Sequence, residues 1–306
     1  MDKLEGIIFL AGKCNQNCLF CSAGGMDKTR PEASVKRAIG AGKRTVSIEG
    51  GEPTLSKDLV KWVKYARSMG AKDVIVCSNG IRFNDAAYVR SLTDAGVTLF
   101  NINLPSHIER LFDLLTQTKG QFQKRLDGLR TLIETAGGKN LRLTFVITSL
   151  NYKTMKDYAA FIHKNFPEIF YIEFNLVKVL GYAAKRRYLV PKLSELAPYL
   201  RETLKYGKAA GMKMITDGIP LCHLKGFEHL AIDPFKLITD HNSFLKEKLK
   251  PAKCGACSLR TICAGPRKDY LDIYGPDELV KSSKDARKIA STIKLQFLRN
   301  GRSGAV

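Results

Sequence analysis

The sequence has no run of about eighteen consecutive apolar residues, so no segment reads as a membrane-crossing helix. It begins Met1-Asp2-Lys3-Leu4-Glu5, without a basic stretch followed by a longer apolar one, and no signal peptide is expected. There is no internal repeat and no low-complexity segment, which removes repeat arrays and compositional tracts from consideration. Acidic residues are scarce: 29 Asp and Glu face 50 Lys and Arg, a net charge of +21. Such a surplus suits anionic partners, namely nucleic acid, phosphorylated metabolites or an acidic redox protein. A cytoplasmic location, where thiols stay reduced, is the expectation. The eight cysteines then read as metal ligands rather than as a disulfide framework. Six of them fall in two tight clusters, and close pairs such as Cys254 and Cys257 make poor staples.

Apolar strand-like runs at 6–11, 44–48, 73–77, 97–103, 141–148 and 171–177 alternate with amphipathic stretches at 31–41, 57–70, 84–95, 107–137 and 152–166. Gly42, Gly70 and Gly96 punctuate helix ends. Alternating strands and helices predict an α/β fold with a parallel sheet. Six units predict a partial (β/α)6 TIM-like barrel, with ligand chemistry at the C-terminal strand ends. On the fourth and sixth strands Asn101 and Asn103, and Glu173 and Asn175, share faces opposite apolar residues. The polar faces are expected to line a wet or ligand-filled interior. The reading divides the chain into a barrel at 1–185, a linking helix at 186–212, a cysteine-rich extension at 213–280, and a basic helix with a frayed tail at 281–306.

Cys14, Cys18 and Cys21 stand as C-N-Q-N-C-L-F-C directly after the first strand-like run. A 4Fe–4S cluster normally takes four thiolates; three leave one iron open to substrate or cofactor. Gly50-Gly51-Glu52-Pro53 follows the second strand, with glycines that allow close backbone approach and a proline that stiffens the exit. Together these motifs resemble the signature of the radical S-adenosylmethionine (SAM) superfamily. The resemblance implies that Cys14, Cys18 and Cys21 ligate three irons while the fourth iron chelates SAM. Reduction would then yield methionine and a 5′-deoxyadenosyl radical that abstracts hydrogen from substrate. It also implies that Phe20 lies near the adenine and that residues 50–53 hold the methionyl amino group. Ser78 and Asn79, in a Ser-Asn-Gly triplet ending the third strand, would contact SAM, as would Asn103 and Ser106 after the fourth. Gly181 would line the adenine pocket. Cys77 belongs to neither cysteine set and reads as a strand thiol near the site.

Cys254-x2-Cys257-x5-Cys263, with Cys222 upstream, is the second set. Four thiolates can saturate a second 4Fe–4S cluster, and four cysteines also suit a structural zinc. The spacing resembles the SPASM and Twitch extensions of radical SAM enzymes. Where SPASM proteins carry a further cysteine, this chain has Arg267, which fits the single-cluster Twitch type better. His223 and His229 are alternative ligands, and Tyr270 and Tyr274 are expected to pack the extension on the barrel.

These features predict an enzyme, a radical SAM oxidoreductase with a second cluster for electron transfer or substrate binding. Its electron donor would be a flavodoxin or ferredoxin. Its substrate would be a ribosomally made peptide, although no segment reads as a leader-binding domain. One alternative is a cyclase acting on a phosphorylated small molecule or nucleotide, as the molybdenum-cofactor cyclase does. The other is RNA modification, for which Tyr182 and Tyr188 around Lys185-Arg186-Arg187 form the one aromatic and basic run.

Overall fold

The computed structural model describes residues 6–10, 12–25, 30–239 and 245–299. The expected frayed tail at 301–306 lies outside them. Seven strands form one parallel sheet in chain order: β1 (Gly6–Phe9), β2 (Thr45–Glu49), β3 (Asp73–Ser78), β4 (Leu99–Asn103), β5 (Leu141–Ile147), β6 (Tyr171–Leu176) and β7 (Met214–Asp217). Each strand pairs with its sequence neighbour, and no ladder joins β7 to β1 among the described residues, so the barrel is open. The seventh strand, Met-Ile-Thr-Asp, is buried along its whole length and pairs Glu173 with Ile215 and Asn175 with Asp217. It extends the sheet past residue 213, where the sequence suggested that the extension begins. Four residues are too few to show a period.

Helices α1 (Pro31–Gly40), α2 (Leu59–Ser68), α3 (Ala86–Ala95), α4 (Glu109–Thr116), α5 (Phe122–Ala136), α6 (Met155–Asn165) and α7 (Leu193–Ala209) fill the crossovers. Their boundaries are chemically marked. Proline opens α1, where its missing N–H costs nothing. The Asp85 carboxylate caps α3 by accepting from the Ala87 and Tyr88 N–H groups, and Gly96 ends it at φ +109°. Strand residues alternate as the pattern requires. Val46 and Ile48, Phe100 and Ile102, and Phe145 and Ile147 are buried outward against helices. Phe145, Tyr158 and Phe174 stack with centroids 4.7 and 5.6 Å from Phe145, and Phe145→Ala would cost about 3–5 kcal/mol.

The C-terminal part adds α8 (Leu221–Leu224), α9 (Ile232–Ile238), α10 (Lys268–Tyr274) and α11 (Ala286–Arg299). Leu221, Leu224, Leu259, Ile262 and Tyr270 belong to the same apolar cluster as the barrel core. The extension therefore shares one interior with the barrel. The Tyr270 hydroxyl accepts from Leu193 N–H at 2.9 Å, and Tyr274 donates to the Val190 carbonyl at 2.8 Å. Both tyrosines thus anchor α10 on the start of α7. Among the described residues, no helix is long and apolar enough to cross a membrane.

Candidate active site

The cysteine loop leaves β1 at the C-terminal edge of the sheet and is fastened by backbone bonds to α4. Asn17 and Leu19 donate to the Thr116 and Leu115 carbonyls at 3.2 and 2.9 Å, which satisfies acceptors that a helix end leaves open. Beneath the loop lies Arg125 of α5, fully buried, donating to Gln16 Oε1 at 2.7 Å and to the Asn103 carbonyl. Its guanidinium also covers the Phe112 ring at 4.7 Å. Burial pulls the Arg125 pKa down to about 10, which leaves it charged at neutral pH. Burial pushes the Cys18 thiol up to about 12 and also raises Cys14; the Arg125 charge opposes both shifts. All three thiols are free, and Cys14 is exposed. Three thiols over one buried cation, in a loop without a fourth Cys or His, fit an anionic cluster with one open metal position.

Gly50 and Gly51 adopt φ +85° and +59°, where a side chain is strained. A Cβ on Gly50 would also stand 2.6 Å from the Phe9 ring. Glu52 follows, and its carboxylate is almost wholly buried. Oε1 accepts from Thr54 N–H at 3.0 Å, Thr54 Oγ1 at 2.7 Å and Ser78 Oγ at 2.7 Å, while Oε2 accepts from Asn79 N–H at 2.7 Å. Glu52 N–H donates back to the Lys13 carbonyl at 2.9 Å, and Asn79 Nδ2 donates to Asn15 Oδ1 at 2.6 Å. One carboxylate thereby braces the cysteine loop, the Gly-Gly turn, which runs through the buried Pro53, and the Ser-Asn-Gly turn into one unit. Sequence reading placed Glu52 and Ser78 against the cofactor; the structure engages both side chains in this brace.

The remaining expected contacts divide. Phe20 packs into the main core. Asn103 is half-buried and its amide donates to the Thr144 carbonyl at 3.1 Å. Ser106 is fully buried, and its hydroxyl both accepts from Ile108 N–H at 2.9 Å and donates to the Ile108 carbonyl at 3.1 Å. That hydroxyl has no reach to a ligand, so Ser106 is corrected to a residue that shapes the approach to α4. Gly181, at φ +57°, lies against the cysteine loop, where a Cβ would meet the Ser22 carbonyl at 2.6 Å.

Inside the barrel a cavity of about 240 Å³ is lined by Asn101, Glu173 and Asn175, which lie on the polar strand faces, and by Glu49, Arg142 and Lys236. Ser47 and Cys77 lie 3.4 Å apart, Asn101 donates to Cys77 Sγ at 3.4 Å, and Thr144 donates to Asn101 Oδ1 at 2.8 Å. This belt crosses β2 to β5 and gives the Cys77 thiol a place in the lumen wall. Arg142 faces Glu173 at 3.8 Å, and Lys236 pairs with Asp217 at 3.2 Å. Burial alone would raise the Asp217 carboxyl, but Lys236, Lys248, Lys178 and Arg267 hold it well below the usual carboxylate range. Asn175 Oδ1 is buried in this wall without a hydrogen-bond partner.

At the far end Cys222, Cys254, Cys257 and Cys263 line one cavity, with Lys250, Lys253 and Arg260 around it. Ser282 N–H donates to Cys257 Sγ and Gly265 N–H to Cys263 Sγ, each at 3.4 Å. Burial and the neighbouring thiols push Cys222 up to about 11. Among the described residues no group of three or more His, Cys, Asp or Glu side chains is gathered to hold a metal ion. Neither His223 nor His229 lines this cavity.

Sequence reading missed Arg125. Its signal is a charge on the apolar stripe of α5, where Arg125, Leu129 and Leu132 repeat at helical spacing. The lumen ion pairs had no such signal, because they join residues of distant strands.

This fold and loop define an α/β open-barrel enzyme built around three cysteines. The sequence matches the Radical SAM superfamily over residues 8–163, and the chain belongs to that superfamily. Membership brings a 4Fe–4S cluster and SAM as cofactors. The chain is 30% identical over 178 residues to a probable GTP 3′,8-cyclase of Sulfurisphaera tokodaii, covering 56% of each. To that of Methanocaldococcus jannaschii it is 26% identical over 162 residues, covering 50% of this chain and 53% of that one. It thus spans about half the length of these curated relatives. Among solved structures, Streptococcus suis SuiB bound to S-adenosylmethionine superposes with TM-score 0.63 at 18% identity, over 92% of this chain and 77% of that one. The enzyme anSMEcpe with bound AdoMet gives 0.55 at 15%, over 96% and 83%.

Proposed function

We propose that the chain is a radical SAM oxidoreductase whose substrate enters the open barrel and whose second cysteine set holds a redox-active 4Fe–4S cluster. When bound, the first cluster and SAM would supply a 5′-deoxyadenosyl radical for hydrogen abstraction. The chain's own residues hold the loop rigid through Glu52 and Arg125 and offer substrate the lumen wall. The observation that carries the second-cluster reading is the convergence of Cys222, Cys254, Cys257 and Cys263 on one cavity, with backbone N–H groups aimed at two sulfurs. Such bonds tune cluster potentials. A net charge of +21 suits an acidic donor such as flavodoxin or ferredoxin.

For substrate, the reading favours a peptide segment. The lumen side chains balance: Arg142, Lys178 and Lys236 stand against Glu49, Glu173 and Asp217. A balanced wall suits a peptide carrying amides and single charges. SuiB, which shares this fold, was solved bound to a precursor peptide. The second reading, a nucleotide cyclase, is favoured by the 30% identity to a probable GTP 3′,8-cyclase. A triphosphate would need a surplus of cations that this lumen lacks.

The test is anaerobic reconstitution, with iron and zinc counted per chain and 5′-deoxyadenosine followed under reductant. About eight irons per chain supports two 4Fe–4S clusters. About four irons with one zinc overturns the redox role of the extension. GTP-dependent deoxyadenosine release would replace the peptide reading by the cyclase one.

A further inference from the structure

We infer that Arg267 is a positioning residue that registers the C-terminal cysteine site against the SAM-site loop, acting through the connector of residues 177–187. Arg267 follows Cys263 by four positions and is almost wholly buried. Its guanidinium reaches back across the chain: Nη1 donates to the Leu176 carbonyl at 2.8 Å, Nη2 to the Val177 carbonyl, and Nε to Asp269 at 3.2 Å. Asp269 in turn accepts from Val179 N–H at 2.9 Å. The end of β6 is therefore pinned by a planar fork, a geometry that lysine cannot reproduce. Gly218, at φ +87° after β7, leaves the room this requires, since a Cβ there would stand 3.1 Å from Arg267 Nη1.

The same connector grips the cysteine loop at its other end. Ala183 N–H donates to the Cys21 carbonyl at 3.3 Å, and Arg186 donates to the Leu19 carbonyl at 3.3 Å. Gly181 abuts the Ser22 carbonyl, and a Cβ on Gly24 would overlap the Tyr182 ring at 2.5 Å. Arg187 then returns to the extension, donating to the Asp272 carbonyl at 3.1 Å. Eleven residues thus touch both cysteine sites, and the guanidinium that fixes their far end stands where a SPASM chain would carry another cysteine. A substrate working between two redox sites needs them in register, because a displacement of about 1 Å can cost on the order of 10²-fold in rate.

The functional consequence rests on the proposed two-cluster reading; the structural claim does not. The test is hydrogen exchange on the reconstituted holoprotein and its Arg267→Met and Arg267→Lys variants. It is paired with iron content and the electron paramagnetic resonance of the reduced first cluster with SAM. The expected result for Arg267→Met is exchange at least about tenfold faster in 177–187 and in the 14–22 loop, with β2 and β3 unchanged. The first-cluster signal should shift, and Arg267→Lys should restore both readouts only in part. Faster exchange confined to 245–282, or spread equally over the chain, would overturn the inference. Failure of the two-cluster reading would register separately, as iron content near four in the unsubstituted protein.

Discussion

Glu52 offers the sharpest test of how the SAM site is held. Its two oxygens accept four hydrogen bonds from three residues in an almost dry setting. Glu52→Gln keeps the shape but replaces one acceptor oxygen by a donor. If the amide nitrogen takes the Oε2 position, it confronts Asn79 N–H, which now bonds at 2.7 Å. If it takes the other, Ser78 and Thr54 hydroxyls can rotate to accept, but Thr54 N–H cannot. Either way one buried backbone donor is stranded and the charge assistance is lost, a cost of about 2–4 kcal/mol. At roughly 2 °C per kcal/mol for a chain of this size, the melting temperature should fall by about 4–8 °C. Distortion of the Gly-Gly turn should weaken SAM retention by about tenfold, the equivalent of 1.4 kcal/mol. Calorimetry and equilibrium dialysis on the reconstituted protein measure the two effects. A variant that melts with the parent and holds SAM equally well would refute the brace.

Cys18→Ala should abolish 5′-deoxyadenosine formation and remove about four irons while sparing the distal site; cleavage retained in that variant would contradict the assignment of the loop. Cys257→Ala should also lower iron content yet leave uncoupled SAM cleavage, and full substrate turnover would show that the extension has no redox part. His107 is packed between Tyr158 and Phe161, and burial lowers its pKa from 6.5. The unfolded chain therefore binds the proton more readily. This contribution to stability is complete above pH 6.5, the unfolded value, and is lost as pH falls from there through the folded pKa. His107→Phe should flatten the fall in melting temperature between neutral and mildly acidic pH; an unchanged slope would place that titration elsewhere.

Local signals account for what was legible beforehand. The first six strands announced themselves by apolar runs, and Gly42, Gly70 and Gly96 sit at φ +74°, +98° and +109°, as helix-ending glycines do. The alternation of Asn101 with Ile102, and of Glu173 with Phe174, foretold a polar lumen, because a strand's two faces are written two residues apart. The cysteine loop and Gly50-Gly51 are contiguous motifs. What escaped is long-range. Arg125 meets Gln16 across 109 positions, and Arg267 meets Leu176 across 91. No short window contains both partners. Ser106 was misjudged because its neighbour Ile108 takes its hydroxyl, a local competition that strand-end position does not reveal. The strand Met214–Asp217 was hidden by its shortness and by the helix before it.

The interior that Leu259 and Ile262 share with the barrel strands makes the protein's durability a reporter of what its distal thiols hold. Any species that binds those thiols only in the folded chain stabilises the whole molecule by mass action, about 4 kcal/mol when present at a thousand times its dissociation constant. Loss of that occupant would loosen the barrel that carries the SAM loop, so metal shortage at one end becomes lowered survival of the catalyst at the other.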